Sequence, residues 1–122
     1  FRDALGELGA LPMVTTFTTS DFARTLTSNG KGSDHGWGGQ HIVMGGAVNG
    51  GRYYGEYPDI HPDNPLDVGR GVYVPTTATD LYFAELARWF GVSDSDLNAV
   101  LPNLERFYSI GSGAPLGFML DG

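Results

Sequence analysis

The chain contains no cysteine. That excludes a disulfide scaffold and any thiolate-held metal, and it leaves the redox compartment open. Basic residues are scarce, with 7 Lys and Arg against 14 Asp and Glu, a formal charge of −7. A nucleic-acid surface gathers Lys and Arg into patches, so no nucleic-acid partner is expected. No apolar run approaches the ~20 residues that cross a bilayer, so no membrane span is expected. An initiating methionine is missing as well. The chain opens at Phe1 in "FRDALGELGAL", already in stride as an amphipathic helix with Phe1, Leu5 and Leu8 at helical spacing. A helix without a predecessor reads as a trimmed product or a piece of something longer, and it carries no information about a targeting leader.

What the chain has in abundance is glycine, 19 of 122 residues and roughly double ordinary usage. Tight turns and close backbone approaches are therefore expected. Apolar residues at 41% and charged ones at 17% mark a globular chain. Its length suits a single domain over 1–122, or a portion of one.

Elements alternate along the sequence. After the first helix, Met13–Thr19 ("MVTTFTT") is rich in β-branched residues and reads as a buried strand. A glycine-rich loop then runs to about Gly39. "HIVMGGAV" reads as a second strand whose glycine pair marks a bulge or a close approach. "NGG" at 49–51 signals a turn, "RYYGEY" a short return strand, residues 57–70 a proline-bearing loop, and "GVYVP" another short strand. In "TTATDLYFAELARWFG", Thr77 is placed to cap a helix that Gly91 closes. The apolar residues of that helix cover most of its surface, which predicts packing on more than one neighbour. "SDSDLNAVLPNL" repeats the start signal with Ser93 and Asp96, and the tail from Ser109 reads as irregular or strand-like. Strands interleaved with helices point to the α/β class.

The segment Thr27–His41, "TSNGKGSDHGWGGQH", concentrates the chemistry. It sets Asp34, His35 and His41 among five glycines. A carboxylate and an imidazole side by side, followed by the permissive backbone of Gly36, can turn toward one point. Such oxygen and nitrogen ligands suit zinc, manganese or iron, which would polarise an ester oxygen or activate a nucleophile. The same dipeptide also reads as a hydrogen-bonded turn. Asp21 falls at the carboxyl end of the first expected strand, where open α/β sheets place ligand groups. Arg24, three residues on, suits forked hydrogen bonds to an anionic substrate.

The stretch from "VTTFTTSDFARTLTSNGKGSDHGWGGQHIVMGGAVNGGRYYGEYP" through "GRGVYVPTTATDLYFAELARWFGVSDSDLNAVLPNL" to "LGFML" resembles the C-terminal third of a bacterial family. That family is catalogued as a domain of unknown function, number fifteen-oh-one. It is similar in turn, more remotely, to the alkaline phosphatase and sulfatase superfamily. The resemblance implies an α/β/α sandwich with a mixed sheet, of which this chain is the C-terminal part. It also implies export through the twin-arginine route, hence a periplasmic or secreted protein, and a hydrolase of phosphate or sulfate esters dependent on a divalent metal (zinc, manganese or calcium). "SDHG" is similar to the superfamily's Asp-His-Gly motif, which places Asp34 and His35 on the metal. "TTSDF" makes Asp21 a competitor for the same role. A further histidine ligand is expected downstream, either His41 or His61. The superfamily's nucleophile and first carboxylates have no counterpart here, so the remaining N-terminal part of a parent protein, or self-association, is the expected partner, beside an anionic small-molecule ester as substrate.

Other conspicuous residues have structural readings. Trp37 is expected to stack on substrate or to anchor its loop to the core, and Trp89 and Phe90 to be core. Tyr53 and Tyr54 are expected to be half-exposed, and Asp59, Asp63 and Asp67 to lie in a solvated loop without the spacing of a calcium loop. Three functional readings follow: a metal-dependent ester hydrolase to which this chain donates part of the site, a catalytically inactive binding or structural protein of the envelope, and a stable fragment that self-assembles.

Overall fold

The computed structural model describes residues 1–61 and 63–120. The chain divides into two compact units. One comprises Phe1–Phe17, Val43–Tyr54 and Ala78–Gly122, and the other Thr18–Ile42 and Gly55–Thr77. The class is mixed α/β with small antiparallel sheets. The described strands form two separate two-stranded ribbons.

The first unit is organised by helix α2, Thr79–Phe90. Its C-terminus is as the sequence predicts: Gly91 adopts φ +105, and its cap N–H groups reach back to Ala87 and Arg88. The N-cap falls on Ala78 rather than Thr77, without a side-chain cap. The apolar wrap does pack two ways. Ala84 joins Leu97 and Leu104 in one buried cluster, while Leu86 joins Phe118 and Met119 in another. Leu97 opens the short helix α3, Leu97–Val100, which a 3-10 turn precedes and Pro102 keeps from extending. Trp89 packs against the second cluster, but Phe90 is exposed, contrary to expectation.

Helix α1, Arg2–Glu7, leads through a 3-10 turn at Leu11–Met13 into strand β1, Thr15–Phe17. This strand is shorter than predicted and not buried, because its described pairing is on one side only, with β4, Val43–Gly45. The glycine pair after β4 marks a close approach. A Cβ on Gly46 would lie 2.5 Å from the backbone of Leu11, whose carbonyl accepts the Gly46 N–H. "RYYGEY" forms no strand: Tyr53 is fully exposed, and Tyr54 turns inward, donating its hydroxyl to the Asn49 carbonyl.

The C-terminal segment crosses this unit as a strap. Met119 bridges Val48, Asn49 donates to the Phe118 carbonyl, and Leu120 donates to the Ala47 carbonyl. Buried Glu85 on α2 receives the other side of the strap, accepting the N–H groups of Leu116 and Met119 at 3.0 Å each. A buried carboxylate is tolerated where hydrogen bonds satisfy it, and these two do so.

In the second unit the glycine-rich loop turns out to be a β-hairpin. Strands β2, Ala23–Ser28, and β3, Ser33–Gly36, pair antiparallel with Arg24 opposite His35 and an irregularity before Ser28. Residues 29–32 close the hairpin, with Gly30 at φ +86, Lys31 N–H donating to the Asn29 side chain and Asn29 N–H to the Gly32 carbonyl. "GVYVP" contributes only the bridge between Asp67 and Tyr73, which closes a second, smaller hairpin.

Candidate functional site

Asp21, Arg24, Asp34, His35 and His41 all fall in the second unit. The hairpin decides where their side chains go. Successive residues of a strand point to opposite faces, so Asp34 and His35, neighbours on β3, leave it on opposite sides. They do not converge as the Asp-His dipeptide suggested, because the segment is extended rather than looped.

On one face, the Asp34 carboxylate is held at both oxygens. Asn29 Nδ2 donates to Oδ1 at 2.6 Å, and Arg70 Nη1 lies 2.8 Å from Oδ2. The Asn29 amide, followed by the Arg70 guanidinium, holds the carboxyl below its ordinary range. The backbone is fixed as well, since Asp34 N–H donates to Thr25 Oγ1, which donates in turn to the Thr27 carbonyl. Thr25 is one of the few buried residues of this unit. Gly36 lets the strands close up, because a Cβ there would sit 3.2 Å from the Arg24 backbone.

On the other face, His35 stacks on Phe22 with ring centroids 4.2 Å apart and planes 25° from parallel. The Arg24 guanidinium lies 4.9 Å from the Phe22 ring centre and donates to the Ser33 carbonyl at 2.9 Å. An arginine, an aromatic and an imidazole thus share one exposed patch.

The other predicted residues stand apart from this hairpin pair. Asp21 is exposed in the bend between β1 and β2, so it does not end a strand. His41 lies with Nδ1 3.3 Å from the Thr18 hydroxyl. His61 accepts the Asp63 N–H in the irregular segment, and its carbonyl takes the Tyr73 hydroxyl. Trp37 is 65% exposed, so it does not anchor the loop to a core. A protein metal centre ordinarily takes three or more protein ligands. Among the described residues no group of three or more His, Cys, Asp and Glu is placed to hold a cation, so this donor set does not by itself fit the metal that the family resemblance implies.

Arg70 is the residue that sequence reasoning missed. The sequence places it at the end of the proline-bearing loop 57–70, yet it supplies the charge that fixes Asp34. The available signal was its setting, a single arginine between two glycines in "DVGRGVY", three positions after an aspartate able to cap a turn. Asp67 does cap it, accepting the N–H groups of Gly69 and Gly71.

Small antiparallel ribbons and a helical core, with an arginine-tied carboxylate on one ribbon, define a mixed α/β protein bearing a polar surface site. The chain belongs to the family described as Protein of unknown function (DUF1501), whose model matches residues 1–102. No curated protein and no solved structure matches the chain.

Proposed function

We propose that this chain is part of an ester hydrolase and that the segment 18–42, with Arg70, meets the anionic group of a phosphate or sulfate ester. The observation that carries the reading is the Asp34 site. An ionised carboxylate stands partly exposed on a strand, with a guanidinium at 2.8 Å and a second arginine and an imidazole on the same hairpin. Hydrolysis of such an ester calls for positive charge on the non-bridging oxygens and a proton source for the departing oxygen. Arg70 is suited to the first task on the face that carries Asp34, and Arg24 with His35 to the two tasks on the opposite face.

The accompanying fold is the alkaline-phosphatase-like α/β/α sandwich with a mixed sheet, and the location is periplasmic or secreted. In this reading the nucleophile and the further donors for a zinc, manganese or calcium ion come from another part of the protein. Asp34 or His35, but not both, would be this chain's donor to it, since the two leave β3 on opposite faces, and the ion would supply Lewis-acid activation of the ester.

The test is turnover of an aryl phosphate and an aryl sulfate by the intact protein. Asp34→Asn and His35→Asn are each expected to lower kcat/KM by about 100-fold or more, the scale of a lost acid-base or charged group. Turnover indifferent to both substitutions would sink the proposal. Elemental mass spectrometry of the same preparation reads retained metal independently of activity.

A second reading is favoured by one specific observation: both Asp34 oxygens already have protein partners. In an inactive binding or structural protein of the envelope, the pair simply pins the two hairpins together. Neither ester would then be turned over, and Asp34→Asn would alter only stability, by a difference present near neutral pH that fades on acidification.

A further inference from the structure

Arg70 stands at the tip of the hairpin closed by Asp67 and Tyr73. Its φ of +61 makes it the single non-glycine residue with positive φ among those described. That backbone region disfavours every L residue with a full side chain, and glycine occupies it freely. This chain uses glycine on both sides, with Gly69 at φ +117 and Gly71 at φ +72. A glycine at position 70 would relieve the strain, so the arginine stands there at a backbone cost.

The surrounding contacts hold that side chain in place. Thr27 N–H donates to the Arg70 carbonyl and Leu26 N–H to the Gly71 carbonyl, each at 3.2 Å, which docks the tip on β2. Gly71 permits the docking, since a Cβ there would lie 2.5 Å from Leu26 Cβ and 2.9 Å from its nitrogen. Val68 N–H donating to the Val72 carbonyl, and the Gly69 and Gly71 N–H groups donating to the Asp67 carboxylate, fix the turn from within. The guanidinium emerges more than half exposed, with Nη1 on Asp34. A fixed fork of N–H donors, only part of it taken by one carboxylate, matches the oxygens of a tetrahedral oxyanion.

We infer that Arg70 is an oxyanion-binding residue for a phosphate or sulfate group, with Asp34 the internal counter-ion that keeps the guanidinium oriented until the ligand takes its place. The inference deepens the hydrolase reading and rests on it for the substrate class. Asp34 and the incoming oxyanion compete for the same donor, so removing the carboxylate opens the site. Losing a half-exposed ion pair while relieving left-handed strain leaves the fold no weaker, whereas loss of a residue present for stability would lower the Tm.

The experiment is calorimetric titration of the intact protein at low ionic strength with inorganic phosphate and, separately, inorganic sulfate. Arg70→Gly and Arg70→Gln are expected to weaken binding roughly tenfold or more, as loss of a charge-assisted contact does. Arg70→Lys should restore part of the affinity, Asp34→Asn should tighten it, and the Tm of Arg70→Gly should match or exceed that of the parent. A preference between the two ions tells which ester class the site takes. Phosphate and sulfate affinities unchanged in Arg70→Gly overturn the inference, as does a Tm lowered alike in Arg70→Gly and Arg70→Gln. Oxyanion binding at Arg70 without ester turnover would remove the hydrolase reading and leave this one standing. Turnover with oxyanion affinity indifferent to Arg70 would do the reverse.

Discussion

Glu85 shows how much one side chain can organise. Its two oxygens accept the Leu116 and Met119 amides from within helix α2, at a site only 4% exposed. Replacing it with Gln puts a donor where an acceptor is needed and leaves one amide unsatisfied, at roughly 1–3 kcal/mol. Alanine leaves both unsatisfied and should cost roughly 2–5 kcal/mol, with the order wild type, Gln, Ala read from denaturant midpoints. Asp34 offers a pH-resolved counterpart. Asn29 and Arg70 hold its carboxyl below the ordinary 3.8, so the folded protein takes up that proton less readily than the unfolded chain does. The resulting stabilisation is complete above the ordinary value and is lost as the pH falls through the lower native one. The Tm difference between wild type and Asp34→Asn should therefore shrink on acidification from about pH 5 to about pH 2. A difference that stays constant across that interval would show that the pair contributes nothing. Neither role was legible beforehand. Glu85 sat in a helix whose neighbours were unknown, and Arg70 reaches Asp34 across 36 positions of sequence that no local pattern connects.

Elements were legible in proportion to how far local chemistry determines them. The span and C-terminal stop of α2 follow from its apolar wrap and Gly91, and its two-sided packing follows from the same wrap. The β2–β3 hairpin was missed because five glycines suggested a loop. The available signal is the Asn-Gly dipeptide at 29–30 between "RTLTS" and "SDHG", whose Gly30 supplies the left-handed residue of the reversal. That error carried the functional one with it: a strand separates adjacent side chains, whereas a loop can gather them. The glycine pair in "HIVMGGAV" signals a bulge or a close approach, and at Gly46 the structure has the close approach. Gly46→Ala would drive a methyl into the Leu11 backbone and should cost about 1–3 kcal/mol, the usual scale of overpacking, seen as a lowered Tm. Unaltered stability would mean that the 3-10 turn can move aside.

At the scale of the whole molecule, the two units differ in what holds them. Both apolar clusters lie in the first. In the second, the buried residues among those described are Thr25 and Gly36, so its order rests on turns and the hairpin ladders. Backbone amides of β2 and β3 are accordingly expected to exchange on the order of 100-fold or more faster than those in the middle of α2, read by hydrogen exchange. Equal protection would mean that the hairpin opens only with the core. The C-terminal strap has a further consequence. Val48 meets Met119 across 71 positions of sequence, and Glu85 meets it across 34. Such distant closures are slow to form, and here they depend on the final stretch of chain. A protease nick just before Leu116 would deprive Leu86 of Phe118 and Met119 and leave the glutamate with nothing to receive, loosening the helix from its C-terminal clasp while leaving its own turns intact.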